Sequence, residues 1–189
     1  MAGVVHVLCA TLRPDVPPEV VDAAVERARG MSAAAGVRQT VCARTSDVIL
    51  AATWVGDRAA LEVFAASPEH MAFVMRGLAP CVRGMWSAAS ETEASPPGET
   101  EALWVFAVRN ADAVFEWQIR DLLRSLEALP GTLAAGVTFE ERDRYRAGGV
   151  VAVPPGRSDT FRTALDALRP SWGDLGEHVV EAFAPVPGA

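Results

Sequence analysis

The chain is expected to fold as an α+β protein of two tandem ferredoxin-like (βαββαβ) repeats that close into one intramolecular α/β barrel. Three observations predict this. A segment rich in Ser, Pro, Gly and acidic residues, SAASETEASPPGETE at 87–101, divides the 189 residues into near-equal halves. Each half runs through the same order of apolar strands and amphipathic helices. The first strand of each half, VVHVLCATL and ALWVFAV, is apolar on both alternating faces, so each sheet must be covered on both sides. Helices cover one face only, and the sister repeat is the natural cover for the other. The first repeat is set at 1–88, a linker at 89–101 and the second repeat at 102–189.

In the first repeat a strand at 4–12 leads to Pro17 and Pro18, which open a helix carrying Val20, Val21, Ala24, Val25 and Ala28 at helical spacing. Gly36 stops it. Strands at 37–44 and 48–55 flank the polar turn Thr45-Ser46-Asp47. Asp57 reads as the N-cap of a helix through Phe64. A break at Ser67-Pro68 restarts a helix over 69–78, and a last strand runs from Cys81 to 88. The second repeat gives a strand at 102–108, a helix at 111–129 ended by Gly131, strands at 133–140 and 149–153, a helix at 158–168 and a strand at 178–184. Strands one and three of each unit pair around the first helix by a right-handed crossover.

Composition removes several function classes. The net charge is −7 with no basic cluster, so no nucleic-acid or anionic-membrane partner is expected. Apolar runs break before a membrane span is reached, and MAGVVHVLCATLRP shows neither a basic leader nor a cleavage site, so a cytoplasmic location is expected. All 17 basic residues are arginine. Without lysine there is no Schiff base, no pyridoxal phosphate attachment and no P-loop. Cys9, Cys42 and Cys81 stand apart in apolar segments and read as buried, reduced thiols. No metal set and no cofactor motif is found.

The candidate site residues follow from the alternation of the strands. His6 lies within the first strand, on the face assigned to the barrel cavity with Leu8. His70, in ASPEHMAFVMR, shares a helix face with Phe73. Thr53 and Trp86 are placed on the same inward face, and with Leu8, Phe64 and Phe73 they are the expected substrate contacts. Aligning the last strands of the two halves sets Trp86 against Phe183 and Gly84 against Glu181, and puts Trp104 where the first half has His6. The second pocket therefore reads as filled with aromatics and lacking a base. Glu181 points into it and is also counted among the expected substrate contacts, as a general acid/base, as the partner of an inward arginine, or as a carboxylate at the solvated mouth. Asn110 reads as a helix N-cap.

The layout and the segment Ser67-Pro68-Glu69-His70-Met71-Ala72-Phe73 resemble the stress-responsive dimeric α/β-barrel (Dabb) family, which includes polyketide cyclases. Its segment is His-Pro-x-His-x-x-Phe. The resemblance implies that His70 is the catalytic base and that His6 matches the family's cavity-facing first-strand histidine. The family cyclase has its catalytic tyrosine six residues before the base, where this chain has Phe64. The implied activity is cyclase, aldol-type or isomerase (lyase) chemistry of secondary metabolism, such as antibiotic biosynthesis. It would act without a cofactor on a small apolar or aromatic substrate, in a pseudo-dimeric chain that could itself form a homodimer. Two alternatives stay open on the same scaffold: a non-catalytic barrel for a hydrophobic ligand, and a cofactor-free monooxygenase or haem protein.

Overall fold

The computed structural model describes residues 3–139 and 144–188. Strand β1 (Gly3–Leu12) is followed by helix α1 (Pro18–Gly30), strands β2 (Val37–Arg44) and β3 (Val48–Val55), helices α2 (Arg58–Ala65) and α3 (Pro68–Ala72), a wide π-helical turn Phe73–Leu78, and strand β4 (Val82–Thr92). The second half runs β5 (Ala102–Arg109), α4 (Glu116–Leu126), β6 (Thr132–Val137), β7 (Tyr145–Val153), α5 (Ser158–Leu168), a 3₁₀ segment Arg169–His178 and β8 (Val179–Pro185). Each half forms one four-stranded sheet, ordered β2-β3-β1-β4 and β6-β7-β5-β8, with antiparallel pairing throughout. That is the ferredoxin-like α+β architecture, present twice.

The two sheets face each other. Val5, Val7 and Cys9 of β1 pack with Leu103, Val105 and Ala107 of β5 in one shared apolar layer. Close approach at the edge depends on glycine: a Cβ at Gly136 would run into the Glu91 carbonyl oxygen, and one at Gly148 would lie 2.7 Å from the Ala88 Cβ. There the Ser90 hydroxyl donates to the Gly148 carbonyl at 3.0 Å, and Ser90 bridges to Thr138. Two further layers lie between each sheet and its own helices.

Several expectations change. Strand β4 continues to Thr92, with Ser90, Glu91 and Thr92 opposite Val5, Val4 and Gly3, so the start of the expected linker is sheet. Helix α4 begins at Glu116 rather than 111, where the Gln118 side chain accepts the Phe115 N–H at 2.9 Å. Asn110 is therefore no helix cap; its Oδ1 accepts from Arg146 Nε at 2.8 Å. Part of the strand expected at 133–140 falls at 140, outside the described residues. The three thiols are buried and free, and burial pushes Cys9 up to about 11 and Cys42 up to about 12. No helix of the described residues is long and apolar enough to cross a membrane.

Candidate active site

The main correction concerns sides. Val4, Leu8, Ala10 and Leu12 pack against α1, Phe64 and Phe73, so His6, in phase with them, faces the helices and not the second sheet. Both faces of β1 are apolar, and alternation alone could not tell which one meets the helices. The candidate pocket therefore lies between the first sheet and its own helices.

Two short caps position the base. Asp57 Oδ1 accepts the Ala60 N–H at 2.8 Å and starts α2, and Ser67 Oγ accepts the His70 N–H at 3.2 Å and starts α3. The two helices meet at a tight corner, which brings His70 back over the end of α2. Its Nδ1 lies 2.9 Å from the Ala65 carbonyl oxygen, one of the acceptors a helix end leaves without an intrahelical partner. A carbonyl only accepts, so Nδ1 carries a hydrogen, and Nε2 is the nitrogen left to exchange a proton.

His6 stands across from His70 with ring centroids 6.4 Å apart, and Phe64 lies beside both, 4.8 Å from His70 and 6.1 Å from His6. Burial, with a smaller contribution from charge on His70, pushes His6 down to about 4, so it is neutral at ordinary pH. A cavity of about 220 Å³ opens beside it, lined by His6, Leu61, Glu62, Ala65, Ser87 and Ala89.

The other expected contacts divide. Leu8, Thr53 and Phe73 lie on the same side of the sheet as His6 but are buried in its wall. Thr53 shares a hydrogen bond with Thr40 at 3.2 Å. Trp86 is not in this pocket: it lies opposite Cys9 on the sheet-to-sheet side and packs on Tyr145 at 5.8 Å. The β4 residues that do reach the pocket, Ser87 and Ala89, pair with Leu8 and His6.

In the second half Trp104 pairs with Phe183 as His6 pairs with Ala89. The counterpart of Glu181 is therefore Ser87, not Gly84. Glu181 accepts from Trp104 Nε1 at 2.7 Å and from Arg169 Nε at 2.8 Å, so it is the partner of an arginine and an indole. Trp104, Phe106, Phe161 and Phe183 stack where the first half has its histidines. A cavity of about 250 Å³ remains there, walled by Arg162, Asp166, Arg169 and Phe183. Another cavity of the second half lies between α4 and the 3₁₀ segment. Among the described residues no three His, Cys, Asp or Glu side chains gather as a metal set.

No family model matches the chain, and no curated protein matches it. Among solved structures, an anthrone oxidase-like protein superposes over 97% of this chain and 91% of its own, with TM-score 0.60 and 10% identity. A protein of Fusobacterium nucleatum, provisionally assigned as a monooxygenase, covers 98% and 91% with TM-score 0.58 and 12% identity. A Dabb family protein of Mesorhizobium loti with a ferredoxin-like fold covers 52% of this chain and all of its own, at TM-score 0.41 and 20% identity. The two longer matches span both repeats, so the shared feature is the whole two-sheet architecture. At such identities the likeness concerns the fold.

Proposed function

We propose that His70, which does not itself line the cavity but contacts Ala65 of its wall and stands 6.4 Å from His6, removes a proton from a carbon acid bound there, a small aromatic ketone whose C–H is activated by conjugation with its carbonyl. The observation that carries this reading is the contact of His70 Nδ1 with the Ala65 carbonyl. It holds the imidazole in the tautomer whose Nε2 can take a proton, and a helix cap holds the backbone beneath it. His6 stays neutral and can donate a hydrogen bond to the enolate oxygen as charge develops there. The cavity is below the usual range of about 300–1,000 Å³, so the substrate is small or leaves one edge in the opening.

The enolate has two fates. Addition to a second carbonyl of the same molecule gives the cyclase or aldol outcome. Addition to dioxygen gives a hydroperoxide that loses water to leave a new ketone; the carbon is oxidised and dioxygen reduced, with no further electron donor. The names of the structures that match the full chain favour this second fate.

Anthrone in deuterated buffer separates the steps. Without air, the protein should speed exchange of the methylene hydrogens above the buffer rate, and in air it should consume dioxygen and form anthraquinone. Exchange without oxygen uptake points to the cyclase or isomerase fate. If neither anthrone nor a panel of aryl ketones exchanges faster than in buffer, the base reading fails and a ligand-binding barrel replaces it.

A further inference from the structure

Where the first half closes, the second half opens. In the first half α1 lies directly on the π-helical turn: a Cβ at Gly77 would sit 3.5 Å from the Ala24 backbone and 3.2 Å from the Phe73 ring. In the second half α4 and the segment Arg169–His178 take the corresponding places, and a cavity of about 490 Å³ separates them. Leu122 and Leu175, both buried, lie at its back. Gly173, at φ 52° and ψ −137°, turns the chain so that Trp172 and Asp174 on either side of it both reach this cavity. A residue with a Cβ rarely adopts that conformation.

We propose that this cavity is a second ligand site, built for a neutral, ring-shaped polyhydroxylated molecule such as a pyranoside. The volume lies inside the usual range for small-molecule sites, about 300–1,000 Å³. The Trp172 indole N–H is buried and has no hydrogen-bond partner, so it requires an acceptor. Gln118, whose Oε1 takes the Phe115 N–H, presents an amide NH2 that also donates, whereas the carboxylates and hydroxyls of the lining accept. Asp174 has no partner among the described residues. Asp121 pairs only with the exposed Arg124. Ser125 and Ser171 have given their hydroxyl hydrogens to the Leu122 and Leu168 carbonyls, leaving oxygens that accept.

This pattern selects among ligand classes. No arginine lines the cavity and Arg124 beside it is already paired with Asp121, so an anion would meet carboxylates with no free counter-charge. An organic cation would suit the carboxylates and leave the indole N–H unpaired. A hydroxyl group both gives and takes a hydrogen bond, and several on one ring serve Asp121, Asp174 and Trp172 together. Trp117, 61% exposed on α4, supplies an aromatic face on which the C–H side of a sugar ring can stack. The site is built on the second half and does not depend on the His70 chemistry.

The test titrates the full chain with methyl glycosides of glucose, galactose, mannose and N-acetylglucosamine, and with tetramethylammonium as the cationic probe, reading tryptophan emission. At least one glycoside should saturate. Its affinity should fall about tenfold or more in Trp172→Phe, which keeps a ring and deletes the N–H, and in Asp174→Asn on the exposed rim. His70→Ala should bind it unchanged. No saturable response from any glycoside would overturn the proposal. So would a response that both variants leave intact, one lost in His70→Ala, or tetramethylammonium binding more tightly than every glycoside.

Discussion

The two halves share one backbone plan and diverge in what lies between sheet and helices. The first half places His6 under α2 and α3 and leaves room beside it. The second puts Trp104 at the same register and fills the space with stacked rings, held by the bonds of Glu181 to Trp104 and Arg169. The difference teaches that the sheet-to-sheet layer carries the architecture in both halves, while the sheet-to-helix layer is free to become a site or a core. Chemistry of the proposed kind therefore needs only one half to keep its histidines.

The sharpest way to break this comparison is His70→Ala. It should lower turnover by roughly 10²–10⁴, the usual contribution of a positioned general base, measured as anthrone exchange. Glu181→Ala at the second-half position should leave that rate unchanged. Equal losses in both variants would mean that the halves are not functionally distinct.

Next comes pH. Folded His6 stays unprotonated down to about pH 4, whereas an unfolded histidine takes up its proton near 6.5. Between those values the unfolded chain binds more protons, so stability falls as pH drops through the window. At about 1.4 kcal/mol per pH unit, crossing the whole window costs roughly 3–4 kcal/mol. Urea unfolding at several pH values should show it, and His6→Phe should flatten the slope.

Glu181→Leu tests the second half in turn. It leaves the buried Trp104 N–H without its acceptor, at a cost of about 1–3 kcal/mol in unfolding free energy. A Trp104→Phe background should abolish most of that cost. The smallest effect belongs to Ser67→Ala, which removes the cap at the start of α3. Stability should fall by about 1 kcal/mol, with a decrease in exchange rate because the same cap fixes His70.

Much of the fold was legible because its signals are local. Asp57 and Ser67 cap helices where their spacing predicts, the strands at 37–44 and 48–55 have the expected bounds, and the helix at 158–168 ends where expected. The first half of the site was legible in part: His6, Phe64 and His70 do meet. Trp86 was misplaced because β4 runs on to Thr92 and carries an extra residue, Arg83, opposite Thr11 and Leu12 of β1, so its pairing with β1 cannot be counted from its apparent end. Ser87, Ala89, Trp117 and Trp172 were missed as lining residues for a similar reason. Each is placed by the packing of elements distant in sequence.

The sequence by itself determined the doubled βαββαβ order, the two short caps before His70, and the replacement of His6 by Trp104 in the second half. These rest on propensity, turn chemistry and residue identity, which act over a few neighbouring positions. Only the tertiary structure decided which face of β1 meets the helices, how β4 registers against it, and that α4 stands away from the 3₁₀ segment while α1 lies close against its counterpart. When both faces of a strand are apolar, burial favours either orientation equally, and the choice falls to the fit of whole layers: Ala24 against Gly77 on one side, and Gly136 and Gly148 under β4 on the other.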